Sequence, residues 1–313
     1  MAVIKVGAAG LAMGKHHIFR MGDFKNAGDT AFCDTTEERL SGTGMLKYVS
    51  IFALLVLPCL TCSAGGTNDQ QNAVIADRFL DSNGNLKVET AVDYFEDLYR
   101  SESSISEAEL KIVRPRRRRT LTMKVWTKGD EKALVVIQSP PREEGTATLK
   151  VGDNLWNYLP KINRTIRIPP SMMLSSWMGS DFTNDDLVRE SSYKDDYTYK
   201  AAGKSDDPPG WIIEFSAKEG TVGLWKRFTL TLSPDGTIPL SSRWYNHKGE
   251  LARILTWDKV RVMDGKKLPS RMTLVPVDKD DEGHKTVMTY KTIDFDAEIP
   301  ADMFSLSRLE RKR

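Results

Sequence analysis

Apolar and polar residues follow two periods along this chain. Val88, Ala91, Val92, Phe95, Leu98 and Tyr99 recur at i, i+3, i+4, i+7 spacing, with Glu89, Asp93, Glu96 and Asp97 between them. That spacing predicts an amphipathic helix. After Ser104 the period drops to two. Residues 105–113, 120–127, 131–138, 145–151, 155–159 and 164–168 read as strands. Strands resume over 193–201, 211–217, 225–232, 240–246, 251–263, 268–277 and 285–295. The links are short Asp/Gly or Pro/Gly turns, such as Lys128-Gly129-Asp130, Ser233-Pro234-Asp235-Gly236 and Asp264-Gly265. Such turns join antiparallel neighbours. No strand–helix–strand alternation appears, which disfavours a parallel sheet. A sheet of about a dozen strands tends to curl. The expected fold is mainly β with few helices: a strongly curved, unclosed antiparallel β-barrel with a helical lid. Residues 300–306 suggest one closing helical turn.

The alternation breaks once, between residues 168 and 193. Pro169-Pro170 opens an apolar run of Met172, Met173, Leu174, Trp177 and Met178, and Gly179-Ser180-Asp181-Phe182 closes it. Asp181, Asp185 and Asp186 read as a short acidic helix start, capped by Thr183 or Asn184, since carboxylates complement the helix dipole there. Core filler is one account of the apolar run. A lid is the other, because the run is flexible in its Met side chains, stopped by Pro and hinged by Gly. With Phe182 and the strand residues Trp156 and Tyr158, it forms the candidate lining of an apolar ligand site. Trp126, Trp211, Trp225, Trp244 and Trp257 read as core.

The first 87 residues have a different character. Residues 1–44 are Gly-rich and aperiodic, and are expected to be an upstream extension from a mis-assigned start. Met45-Leu46-Lys47 opens an apolar run that ends in Cys62-Ser63-Ala64. A charged start, a short apolar core and small residues make a secretory signal peptide over 45–64, too short for the ~20 residues of a membrane span. Lipid modification of Cys62 is a weaker alternative. Residues 65–87 read as a linker, and 88–309 as the functional domain.

Composition narrows the chemistry. Of 313 residues, 45 are basic and 43 acidic, so net charge argues for neither nucleic acid nor an acidic partner. The three cysteines all precede residue 63, which excludes a disulfide framework or thiolate metal site in the domain. No P-loop or dinucleotide fingerprint appears, so no cofactor is implied. No metal-ligand cluster appears either. Ser180 has no histidine near it in sequence, and His247 and His284 sit beside turns, so no catalytic residue is assigned. One charge run stands out, Arg114-Pro115-Arg116-Arg117-Arg118-Arg119. It reads either as a solvated hairpin turn or as a contact to an anionic head group or acidic partner through Arg116, Arg117, Arg118 and Arg119. Nucleic acid would call for interleaved aromatics, which are absent.

Tyr158-Leu159-Pro160, the basic strand that follows it, Trp177-Met178-Gly179-Ser180-Asp181-Phe182 with Asp186-Leu187, and Ile299-Pro300 with Phe304-Ser305-Leu306 together resemble the outer-membrane lipoprotein-sorting proteins of the LolA-like superfamily. The resemblance covers about residues 86–309. It implies an unclosed antiparallel barrel with helices over an apolar cavity. It also implies a periplasmic carrier for acyl chains of lipoproteins or lipids, served by an inner-membrane exporter and an outer-membrane acceptor. Arg164 and Arg167 are placed at the cavity entrance by position. The competing reading is a non-carrier periplasmic adaptor associated with a membrane transporter.

Overall fold

In a computed structural model of the chain, residues 78–189, 193–221 and 225–310 are described. They belong to the second of its two compact units, Cys62–Arg313. The expected upstream extension, signal peptide and most of the linker lie outside the described residues. The linker's end, 78–87, is built into the fold: Phe79 and Leu86 are buried, and Leu80 bridges Leu86. Their side chains are apolar, and the following helix starts too close behind them to leave them in solvent.

The period-two segments form one antiparallel sheet of 13 strands. The first meander comprises β1 (Ser103–Arg114), β2 (Arg117–Lys128), β3 (Lys132–Ser139), β4 (Ala147–Val151), β5 (Asn154–Leu159) and β6 (Arg164–Arg167). The second comprises β7 (Tyr197–Asp206), β8 (Pro209–Ala217), β9 (Trp225–Leu232), β10 (Pro239–Asn246), β11 (Leu251–Met263), β12 (Lys266–Pro276) and β13 (Lys285–Phe295). They join where β1 pairs with β13, from Ser104↔Phe295 to Val113↔Lys285. The order is therefore β6-β5-β4-β3-β2-β1-β13-β12-β11-β10-β9-β8-β7. The sheet is not closed into a barrel, and β6 and β7 are its two edges. The edge strands are mostly exposed and carry charge, which blunts pairing with other chains.

This order makes the β6–β7 link span the sheet from edge to edge. The apolar run is that link. It carries short 3-10 turns at Pro170–Met172 and Trp177–Gly179, then α2 (Asn184–Arg189) and α3 (Tyr193–Asp196). Residues 193–196, expected as the start of a strand, are helical instead.

The link covers one face of the sheet together with α1 (Val88–Asp97), and we call this the inner face. Against the second meander, Ala91 and Val92 of α1 join a cluster with Ile213, Phe215, Phe228, Trp244 and Leu255. Phe228 stacks between Phe215 at 4.3 Å and Trp244 at 4.1 Å. Against the first meander, the link supplies Trp177 to a cluster of Ala108, Leu110, Ile112, Leu121, Met123, Val135 and Ile137. The opposite, outer face has its own cluster. There Trp126, Leu134, Leu149 and Tyr158 pack on Met303 and on Leu309 of α4 (Leu306–Glu310). The closing helix thus begins where the sequence pattern ended it.

β8 and β9 approach closely at Gly210, where an added Cβ would collide with the backbone carbonyl of Leu232. Backbone cannot rotate away as a side-chain tip can. Gly210→Ala is expected to cost about 1–3 kcal/mol, read as a lower urea midpoint. An unchanged midpoint would mean that the two strands can part freely there.

Candidate functional site

The crossover is irregular because its sequence permits nothing else. Pro169 and Pro170 remove backbone donors and start a 3-10 turn. Met178 (φ +50°) and Gly179 (φ +68°) are both left-handed, which stops the next turn. For Met178 that conformation costs about 1–3 kcal/mol unless its surroundings hold it. They do: the Trp177 N–H donates to the Phe182 carbonyl at 2.8 Å, and the Ser180 hydroxyl donates to the Trp177 carbonyl at 2.7 Å. Ser180 is buried in this knot, which gives its hydroxyl a structural task. His284, one of the two histidines beside turns, pairs with Asp281 at 2.9 Å.

Of the predicted lining residues, the structure brings some together and separates others. Trp177 is 1% exposed on the inner face and donates its indole N–H to the Thr148 hydroxyl at 3.1 Å. Met178 and Phe182 pack beside it, and Phe182 also touches the α1 cluster. Met173 packs with Leu155 and Ile168. Met172 and Leu174 instead point outward, 48% and 52% exposed. A run of short turns cannot turn every apolar residue inward, as one helical stripe would.

Trp156 and Tyr158 require a correction. Leu149 pairs with Trp156 and Ala147 with Tyr158, whereas Thr148, the partner of Trp177, pairs with Asn157. Strand alternation therefore puts Trp156 and Tyr158 on the outer face, where they pack with Met303 and Leu309. The Tyr158 hydroxyl donates to Asn163 at 2.9 Å.

The arginine run also divides. Arg116, Arg117 and Arg118 are exposed at the β1–β2 turn. Arg119 turns to the crossover, donating to the Met178 carbonyl and pairing with Glu143 at 3.1 Å. Arg114, across the turn, donates to the Gly179 carbonyl at 3.0 Å and pairs with Asp181 at 3.0 Å. The Thr286 hydroxyl donates to the same carboxylate at 2.6 Å. Arg164 and Arg167 are exposed on edge strand β6, and Arg167 donates to Asn154. They do not flank the buried Trp177.

Asp186 does more than cap. Its carboxylate accepts from the Thr183 N–H at 2.8 Å, while the Thr183 hydroxyl accepts from the Asp186 N–H at 3.1 Å. This is a reciprocal N-terminal cap on α2. The carboxylate also takes both arms of Arg253 on β11, at 2.7 and 2.8 Å. The guanidinium lies 4.1 Å over the Trp225 ring and 4.8 Å over Trp244. Burial pushes the Asp186 pKa up, but Arg253 and the Thr183 donors outweigh it and hold it below the usual carboxylate range. Arg253 lay in an alternating strand with nothing in its spacing to single it out. Further along, Lys194 of α3 pairs with Glu89 and Asp93 of α1.

Two cavities lie at the hairpin end, not beneath the crossover. One, about 370 Å³, sits on the outer face among Glu109, Lys111, Arg118, Arg271 and Lys285. The other, about 550 Å³, lies between β2, the loop after β3 and the β5–β6 turn. In this structure the crossover plugs the inner face.

Residues 129–311 match a family described as "Uncharacterized protein". No curated protein sequence matches the chain. Solved structures share its fold, among them the following three. A DUF1329 family protein from Desulfovibrio piger is 25% identical, with a TM-score of 0.63 over 71% of this chain and 98% of that one. A LolA superfamily protein from Nitrosomonas europaea is 19% identical, with a TM-score of 0.60 over 72% and 100%. An outer-membrane lipoprotein-sorting protein domain from Vibrio parahaemolyticus is 21% identical, with a TM-score of 0.62 over 72% and 98%.

A carboxylate with a depressed folded pKa contributes stability above its unfolded pKa and loses it as pH falls through the folded value. Asp186→Asn leaves Arg253 buried without its counter-charge. It is expected to cost about 3 kcal/mol at neutral pH, with the gap to the unsubstituted chain narrowing below about pH 4. Urea denaturation across that range checks both. A pH-independent gap would contradict the ionic account.

Proposed function

We propose, on the premise that the chain belongs to the family matched over residues 129–311 and shares the fold of LolA-like proteins, that it is a periplasmic carrier. It takes acyl chains of lipoproteins or lipids against the inner face of its sheet and moves them towards the outer membrane. Residues 88–309 are the carrier domain. Residues 45–64 are its export signal. An inner-membrane exporter would load it and an outer-membrane acceptor unload it. This work needs binding and release and no covalent step.

The observation that carries this reading is how the crossover is fastened. Against the first meander it buries one whole ring, Trp177, with Met178 and Phe182 partly buried beside it, and it is further tied by polar bonds to Arg114, Arg119, Arg253 and Thr286. Water can replace such bonds when the crossover lifts. Behind it lies an apolar floor of Leu110, Ile112, Leu121, Met123 and Ile137. Withdrawing a packed tryptophan costs roughly 3–5 kcal/mol. An acyl chain contributes about 0.8 kcal/mol per buried CH₂, so about four to six methylenes offset that cost. On the second meander, the Ser242 hydroxyl and the indole nitrogens of Trp244 and Trp257 are buried without a hydrogen-bond partner among the described residues. An ester carbonyl of a cargo lipid is a suitable acceptor for them.

The adaptor reading has one observation in its favour. Ile162, Ile166, Met172 and Leu174 are exposed apolar residues on β6 and the segments either side of it, and such residues suit a protein partner. Native mass spectrometry of the full chain purified from cell envelope separates the two readings. The carrier is expected to hold lipid or lipoprotein and to bind a fluorescent fatty acid. A bare mass in repeated preparations, with no uptake of the fatty acid, would leave the adaptor reading standing.

A further inference from the structure

We propose that the cleft between β2, the loop after β3 and the β5–β6 turn binds the phosphate of an anionic phospholipid head group. This deepens the carrier reading and rests on it for why a lipid is presented there.

The cleft gathers five cations, Arg117, Arg118, Arg119, Arg142 and Lys161, around one carboxylate, Glu143. Glu143 is already engaged by Arg119. Arg117, Arg118, Arg142 and Lys161 have no ion-pair partner among the described residues, and all four are exposed. They come from three separate segments, so their convergence is a product of the fold. Like charges held together repel, and a bound anion relieves that repulsion. Arginine forks match phosphate oxygens in pairs, and a lysine adds a mobile point charge.

Apart from Thr146, the remaining walls are apolar. Pro140, Leu159 and Pro160 line the cleft, and Ile162 at its rim is 58% exposed. About 550 Å³ is the size of a small-ligand pocket and too small for a folded partner. Cations beside apolar surface suit an amphiphile better than a bare ion. The position suits it too, because Arg119 reaches from the cleft to the Met178 carbonyl of the crossover.

The test uses the full chain and three probes: inorganic phosphate, monomeric dihexanoyl-phosphatidylglycerol, and the neutral apolar dye N-phenyl-1-naphthylamine. Calorimetry of the unsubstituted chain is expected to show the lipid binding more tightly than phosphate, with affinity falling as salt rises. The double substitution R142E/K161E, confined to exposed turn side chains, is expected to weaken lipid binding about tenfold or more without altering the melting curve. Equal lipid affinity in both chains overturns the proposal, as does absence of lipid binding. Phosphate binding as tightly as the lipid overturns the lipid assignment. Dye uptake without lipid binding removes the cleft and spares the carrier reading. Lipid binding lost in the double variant, with no dye uptake, spares the cleft and removes the carrier.

Discussion

The pairing of β1 with β13 sets the terms for everything else. It joins two meanders that grow in opposite directions, which leaves β6 and β7 at the far edges of an open sheet. The chain must run from one edge to the other without breaking the sheet. It does so across the inner face, where apolar side chains of both meanders await cover. A crossover in that place cannot be a neutral linker. It closes the inner face.

What holds the crossover differs from what holds the sheet. Strands are tied by continuous backbone ladders. The crossover is tied by a few side chains drawn from strands distant in sequence: Arg114 and Arg119 at one end, Arg253 further across. Each satisfies a carbonyl or carboxylate that the irregular backbone leaves exposed. Met178 keeps its left-handed conformation because Trp177, Ser180 and Arg119 all require it. Partly buried ion pairs are strong when intact and costly when half removed. In the proposed carrier they suit a segment that must lift, more so than further apolar packing would.

The strands were legible because alternation is a local signal. Predicted and observed boundaries agree within a few residues for β1, β3, β5, β8, β9, β11 and β13. The helix α1 was legible for the same reason at its own period. The crossover was visible as the place where alternation fails. Its contents are less legible. Spacing groups Met172 and Leu174 with Trp177, yet 3-10 turns send them to solvent. Nothing local separates Trp156 and Tyr158 from that run, yet register with β4 puts them on the other face. A sheet pattern shows that two faces exist and cannot say which is inner.

The sequence by itself determined the elements, their antiparallel kinship and the presence of an apolar interruption, because period, turn chemistry and proline act over a few residues. Pairing partners across long stretches of chain were left to the tertiary structure. Only there did Arg253 find Asp186, the arginine run split between crossover and solvent, and Arg142 and Lys161 come to stand beside Arg117. Such meetings depend on the order of strands in the sheet. That order is a global choice among pairings that local patterns leave equally open.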